Sequence, residues 1–253
     1  MASTNLKSRQ AIPDQLLITY FKVEKGVITL PTPSFPLSEM SNERYLVIGG
    51  AGFLGSYIVQ ALISRGEPHV AVYDLSKPAG RDVVEGATYF AGDILNEDQL
   101  FDCLTEVCPG GFLTSNILIH SLSCAQTSTT TVFHTVSPVH GLKELVYYRV
   151  NIEGTRTILS ACQAARVKSF IFTSSSSVVW SDKDVGGLTE DEAVIPEKIY
   201  EAYNHTKGVA EKMVGYLVIV VNPLIHLLQA LRANGVSGMR VTALRPCGMV
   251  GYG

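Results

Sequence analysis

The turn Gly49-Gly50-Ala51-Gly52-Phe53-Leu54-Gly55 limits what this chain can fold into more than any other segment. It follows a strand-like apolar run, YLVIG at 45–49, and opens a helix-length pattern at 55–65. Glycine permits the tight turn, lets the backbone approach a pyrophosphate and lets the helix pack on the strand. The helix N-terminus offers N–H groups to the anion. With 22 glycines in 253 residues, about 0.17 matches to three glycines so spaced arise by chance. Context lifts this match above chance, because a second strand-like run ends near Asp74, 19 residues after Gly55. A carboxylate there can accept both hydroxyls of an adenosine ribose and repels a 2′-phosphate, so it favours NAD over NADP. Lys77 lies close enough in sequence to leave some NADP tolerance open.

Further strand-like runs, 69–75, 131–136, 169–175 and 240–246, alternate with helical patterns that include 145–165 and 200–214. Such alternation predicts an α/β fold, a doubly wound parallel sheet of Rossmann type with helices on both faces. Ligands of these sheets bind beyond the carboxyl ends of the strands. With 46% hydrophobic residues the chain can bury a large core. A net charge of −3 implies no basic face for nucleic acid. Five cysteines are odd in number and lack the close pairing of a zinc site, so reduced thiols and no metal are expected. Residues 1–40 have no secretory signal pattern and are interrupted by Pro31, Pro33 and Pro36. They are read as a flexible N-terminal extension ahead of a dinucleotide-binding domain at 41–253, and a start at Met40 would lose nothing recognisable.

The second informative segment is Tyr200-Glu201-Ala202-Tyr203-Asn204-His205-Thr206-Lys207. On a helix Tyr203 and Lys207 share a face, so an ammonium favours the phenolate and makes a usable general base of a weak one. A surface aromatic–lysine pair is the plain alternative. The strand end Thr173-Ser174-Ser175-Ser176-Ser177 places hydroxyls where a parallel sheet presents its chemistry, although spacing does not settle which serine acts.

Together with 150–155 (VNIEGT) and Leu244-Arg245-Pro246, these motifs resemble the extended short-chain dehydrogenases. More narrowly, YLVIGGAGFLG, VFHTVSP, EAYNHTKGVAEKMV and ANGVSGMRVTALRP resemble the 3β-hydroxysteroid dehydrogenase branch, and within it the fungal sterol-4α-carboxylate 3-dehydrogenases. The resemblance runs from about Ser41 to the last residue. It implies Tyr203 as proton acceptor, Ser175 orienting the substrate hydroxyl, and Lys207 supporting Tyr203 and bonding the nicotinamide ribose. It further implies Gly49, Gly52, Phe53, Leu54 and Gly55 at the pyrophosphate, Asp74 at the ribose, Asp93 and Ile94 at the adenine, Pro246 at the cofactor, and Asn151 in the active-site architecture. The implied reaction is NAD-dependent oxidation of a sterol 3β-hydroxyl, with loss of carbon dioxide from a 4α-carboxysterol. The implied location is the cytoplasmic side of the endoplasmic reticulum membrane, or the cytoplasm. Peripheral membrane association and a homodimer are left open. The other readings are a nucleotide-sugar epimerase, a dihydroflavonol-type reductase, or a non-catalytic NAD-binding regulator.

Two uncharged stretches depart from the family pattern, near 109–128 and 215–229. The second lies in a run of 19 residues, 213–231, that approaches a bilayer span but is broken by Asn222, Pro223 and His226. Translated intron sequence is the reading favoured over a membrane span or a buried extension. Gln126 and Gln229 stand where a terminal CAG would fall, and a third unspliced intron would supply the stop after Gly253. On this reading the substrate domain is largely missing, the activity of the chain itself is in doubt, and the insertions fall at the end of the sheet opposite the cofactor.

Overall fold

A computed structural model describes residues 22–24, 27–29, 43–106, 129–180, 189, 192–197, 199–217, 238–247 and 249. The chain divides into two compact units. The first contains an antiparallel strand pair, β1 (Lys22–Glu24) and β2 (Val27–Thr29), with Val23 opposite Ile28. This pair lies inside the stretch that its prolines suggested was a flexible extension. Its signal is local: two short runs with β-branched residues, joined by two residues of which the second is Gly26.

The second unit holds β3 (Tyr45–Ile48), β4 (Val70–Asp74), β5 (Thr88–Ala91), β6 (Thr131–His134), β7 (Ser169–Thr173) and β8 (Arg240–Leu244). They form one parallel sheet in the order β5-β4-β3-β6-β7-β8. Counted from β3 this is the 3-2-1-4-5-6 order of the dinucleotide-binding folds, with its switch point between β3 and β6. In register, Ile48 lies opposite Tyr73 on one side and His134 on the other.

Side-chain alternation along the strands decides which helices cover which face. Val47, Val70 and Val72 pack with Val59 and Leu62 of α1 (Phe53–Ser64), and Phe133 joins them. Leu46, Ile48, Ala71, Tyr73, Phe170 and Phe172 face the other way. They meet α2 (Glu97–Glu106), α4 (Thr155–Ala164) and α5 (Ala202–Leu217) through Leu100, Leu104, Ile158, Leu159, Ala210 and Val214. The central strands are buried on both faces and read as unbroken apolar runs for that reason.

The five strands expected from apolar runs are present, trimmed at their ends, and β5 is added at one edge. The single helix expected over 145–165 is instead three pieces: α3 (Glu144–Tyr147), a π-helical stretch (Tyr148–Gly154) and α4. The wider π turn packs against α5, where the buried Asn151 amide donates to Thr206 Oγ1 at 3.0 Å. Helix α5 continues to Leu217, three residues into the stretch expected to be foreign. The remainder of that stretch, and all of 109–128, lies outside the described residues.

Gly55 and Gly215 are both helical, and they should respond oppositely to alanine. A Cβ on Gly55 overlaps the Gly49 carbonyl oxygen and comes within 2.6 Å of Gly50 Cα, whereas one on Gly215 meets nothing within 4 Å. Gly55→Ala is expected to lower stability by about 1–3 kcal/mol through backbone overpacking. Gly215→Ala is expected to raise it by about 0.5–1 kcal/mol through helix propensity and reduced unfolded-state entropy. Urea midpoints of the two variants, measured side by side, check the pair of signs.

Candidate active site

The carboxyl ends of β3 and β6 flank the switch point, and the glycine turn fills the first of them. Gly49 has φ +84°, and a Cβ there would lie 2.8 Å from Thr135 Oγ1 and 2.9 Å from the Val136 nitrogen. Both constraints, the left-handed backbone and the approach of the β6 end, demand glycine. Thr135 Oγ1 donates to the carbonyls of Ile48 and Gly49 and so ties the two strand ends together. Gly52 N–H donates to Gly49 O at 3.1 Å and precedes the first residue of α1, Phe53, which is partly exposed beside Tyr57. Leu54 is half-buried and Gly55 buried against the turn.

Asp74 ends β4 beside this turn. One carboxylate oxygen accepts from Ala51 N–H at 3.1 Å and the other from Leu75 N–H at 2.8 Å, so the carboxylate is held over the glycine turn by two backbone donors. Asp93 is exposed and its Oδ1 accepts from Leu95 N–H. The Ile94 side chain is buried in the core, where its Cγ1 would lie 3.1 Å from a Cβ on Gly154. Only the backbone of Ile94 is therefore placed for a ligand. Close-packed glycines, with a carboxylate beside them and a helix N-terminus behind them, fit the phosphates and ribose of a dinucleotide.

The chemistry-bearing side chains lie at the ends of β6, β7 and β8. Lys207 is almost wholly buried. Its Nζ donates to Thr173 O at 3.0 Å and Val136 O at 3.4 Å and lies 5.1 Å from the centre of the Phe172 ring. Burial pushes its pKa down to about 7. His134, also buried, is neutral: burial, assisted by the Lys207 charge, holds it at about 3, and its Nε2 pairs with Thr155 Oγ1 at 3.0 Å. Tyr203, one turn before Lys207 on the same face of α5, is half-buried between two rings. His140 lies 4.5 Å away and Tyr147 5.9 Å away, centre to centre. The Tyr147 hydroxyl donates to Val139 O and accepts from Leu142 N–H, which closes the loop bearing His140 over Tyr203.

The four serines are separated by their partners. Ser174 is buried and bonds the Glu211 carboxylate. Ser176 is exposed, and its N–H donates to Pro246 O at 3.0 Å. Ser177 donates to Asn204 Oδ1 at 2.6 Å, so in its 2.7 Å contact with Ser175 the latter is the donor. Ser175 also caps the short helical turn Ser176–Val179 by accepting from Ser177 N–H. Ser175 thus connects to the Tyr203 region through Ser177 and Asn204.

Sequence reasoning missed the network behind this wall. Glu211 accepts from Arg245 Nε at 2.9 Å and Nη2 at 2.7 Å as well as from Ser174, and Arg245 Nη1 donates to Ala193 O. Helix α5 thereby presents Tyr203, Lys207 and Glu211 at successive turns of one face and is anchored to the ends of β7 and β8. The four-residue spacing was the available signal. The same holds for the buried Tyr73, whose hydroxyl donates to Asp93 O at 3.0 Å. Among the described residues no group of His, Cys, Asp and Glu is arranged to hold a metal.

The strand order, the glycine turn at the switch point and the Asp74 carboxylate beside it define a Rossmann-type dinucleotide-binding domain. A short-chain dehydrogenase/reductase superfamily protein from Agrobacterium tumefaciens, solved with bound NAD, shares the architecture. It has a TM-score of 0.55 and 25% identity over 80% of this chain and 48% of that one. So does UDP-glucose 4-epimerase from Brucella ovis in complex with NAD, with a TM-score of 0.56 and 24% identity over 80% and 51%. The chain belongs to the 3-beta hydroxysteroid dehydrogenase/isomerase family, whose model matches residues 46–253. It is similar to the decarboxylating sterol-4-alpha-carboxylate 3-dehydrogenases of Schizosaccharomyces pombe and Mus musculus. Identity to the first is 30% over 216 residues, 85% of this chain and 52% of the relative. Identity to the second is 34% over 207 residues, 81% and 49%. The chain spans about half the length of these relatives.

The depressed Lys207 pKa has a thermodynamic sign. The unfolded amine, with its ordinary value of 10.5, binds a proton that the folded one releases near pH 7. Stability should therefore rise with pH between about 7 and 10.5, by up to about 1.4 kcal/mol per pH unit at the steepest. Lys207→Met should flatten this rise. Urea titrations of both proteins from pH 7 to 10 check it, and an unchanged slope in the variant would assign the rise to another group.

Proposed function

We propose that this chain forms the NAD-binding part of an enzyme that oxidises the 3β-hydroxyl of a sterol, in particular a 4α-carboxysterol that then loses carbon dioxide. The observation that carries the reading is the face of α5 at the switch point. Tyr203 is set at the mouth of the site, and one turn further in Lys207 is buried on the carbonyls of Thr173 and Val136. Family membership supports the reaction class, and the names of the relatives support the carboxysterol.

Gly49, Gly52 and Gly55 with the first residues of α1, Phe53 and Leu54, would hold the pyrophosphate. Asp74 would hold the adenosine ribose, Asp93 and the Ile94 backbone the adenine, and Pro246 the nicotinamide end. A nicotinamide held there would supply the hydride acceptor for C3 of the alcohol. Tyr203 Oη accepts the hydroxyl proton, and Ser175, by turning its proton from Ser177 Oγ to the substrate, fixes the hydroxyl oxygen. Ser175 is the one serine of its run that is neither buried on Glu211, exposed, nor committed to Asn204. Lys207 places a positive charge beneath the phenolate, and its pKa near 7 lets a small electrostatic change from a bound dinucleotide tip it toward the charged form. A 4α-carboxyl group is β to the new ketone, so its loss requires no further base.

A sterol substrate accords with a location on the cytoplasmic side of the endoplasmic reticulum membrane or in the cytoplasm. Among the described residues no helix is long and apolar enough to cross a membrane. The run 213–231, whose length approaches a bilayer span, lies mostly outside them.

Two measurements test the reading. Calorimetric titration should show NAD binding more tightly than NADP, because Asp74 meets the 2′-phosphate with like charge. Equal affinities sink the role of Asp74. In a chain extended to the length of its relatives, Tyr203→Phe should abolish 3β-hydroxyl oxidation, by a factor of about 100 or more, while leaving NAD affinity nearly intact. Turnover retained within about tenfold would remove Tyr203 as the base.

A further inference from the structure

We infer that Tyr73 is a positioning residue that couples the ribose and adenine subsites of the dinucleotide site, acting through the backbone of the loop after β5. The inference rests on the dinucleotide reading above and goes beyond it, since Tyr73 itself touches no part of the ligand. Tyr73 immediately precedes Asp74 in β4, and its side chain, 1% exposed, points to the opposite face of the sheet, into the core. Its hydroxyl is the one polar atom it carries there, and it donates to Asp93 O. The same loop is bound to the same strand a second time, where Gly92 N–H donates to Asp74 O at 2.8 Å. Two successive residues of β4 therefore hold two successive residues of the adenine-side loop, one by backbone and one by side chain.

The glycine at 92 follows from this arrangement. A Cβ at that position would overlap the Tyr73 hydroxyl and lie 2.6 Å from its Cζ, so the loop can rest on the hydroxyl only without a side chain. With its carbonyl on Tyr73 and Asn96 N–H, and its N–H on Gln99 Oε1, Asp93 is fixed at both backbone groups. One of its carboxylate oxygens is committed to Leu95 N–H, and the second remains to accept the exocyclic amino group of adenine. Burial raises the Tyr73 pKa to about 12, so the hydroxyl remains a donor over the whole working range of pH.

The test uses the chain as it exists and two ligands, NAD and its hypoxanthine analogue, in which the 6-amino donor is replaced by a carbonyl acceptor. The unsubstituted protein is expected to prefer NAD. Tyr73→Phe, which keeps the ring and removes the donor, is expected to weaken NAD about three- to tenfold, the worth of one neutral hydrogen bond. It should weaken the analogue much less, so that the preference narrows. Gly92→Ala, which displaces the hydroxyl without altering it, should narrow the preference in the same way. Equal weakening of both ligands, or no change in either, overturns the positioning role, since a merely structural tyrosine lowers both together or neither. Failure of the unsubstituted chain to bind either ligand overturns the dinucleotide reading itself.

Discussion

Helix α1 meets the turn after β3 with no side chain between them. Gly55 lies against the backbone of Gly49 and Gly50, and the rest of the dinucleotide half is arranged around that contact. Because the helix axis comes this close, its N-terminus points across the end of β3 rather than away from it, and Gly52 is left to bend back onto Gly49 O. Because Gly49 adopts a positive φ, Ala51 N–H is turned toward β4, where Asp74 can accept it. The closeness of β6 follows too, since Thr135 can bond both Ile48 O and Gly49 O only where no Cβ stands at 49. One backbone contact therefore sets the helix, the carboxylate and the cleft wall together.

The other half of the site depends on polar groups buried at a cost. Removing an amine from water disfavours its charged form, and at Lys207 two carbonyl acceptors and an aromatic face only partly offset the loss. On the proposed mechanism, function rather than stability accounts for the position of Lys207. An apolar side chain would fill the same space without the desolvation, but it could not place a titratable charge below Tyr203. Glu211 and Arg245 differ, because two guanidinium donors converge on Glu211 Oε1 while Ser174 donates to Oε2, so the carboxylate charge is largely compensated and helix α5 is anchored at two strand ends. Breaking one member of such a pair costs far more than the pair contributes. The anchor thus fixes the helix that carries Tyr203 and Lys207.

What the sequence discloses about all this divides by range. The glycine turn, Asp74 and the Tyr203–Lys207 pair are local patterns, each contained in one turn or two helical turns, and each stands where its spacing indicated. Strands β3, β4 and β7 are legible as buried apolar runs. Strand β5 is not, because as an edge strand with half-exposed residues it lacks both a continuous apolar run and a clean alternation. The π turn at Tyr148–Gly154 is invisible to periodicity, since one extra residue per turn shifts the apolar face without breaking the pattern. The contacts Ser174–Glu211–Arg245, Tyr73–Asp93 and His140–Tyr203 join residues 20 to 63 positions apart, and no composition or spacing rule connects them.

The same topology fixes where β6 and β8 present their carboxyl ends. In sequence the uncharged stretch 109–128 follows α2 and precedes β6, and the stretch 215–229 begins in the last three residues of α5 and precedes β8. Those connections deliver the chain to the amino ends of the strands. Every residue assigned to the site stands in a turn that leaves a carboxyl end, or on a helix face anchored there. In a parallel sheet the two ends are a full strand length apart, here four or five residues, which is about 13–17 Å at the usual rise. A change in the length or composition of these connections can alter where β6 and β8 begin without touching Thr135, Val136, Arg245 or Pro246 at their far ends. The strand registers hold on both counts. β6 pairs with β3 and β7, and β8 pairs with β7, without a slip along their length. A one-residue shift in β6 would have turned His134 toward the α1 face and Phe133 toward the α5 face. The carboxyl ends of β6 and β8 are therefore fixed by strand register, and the side-chain alternation of the strands maintains that register.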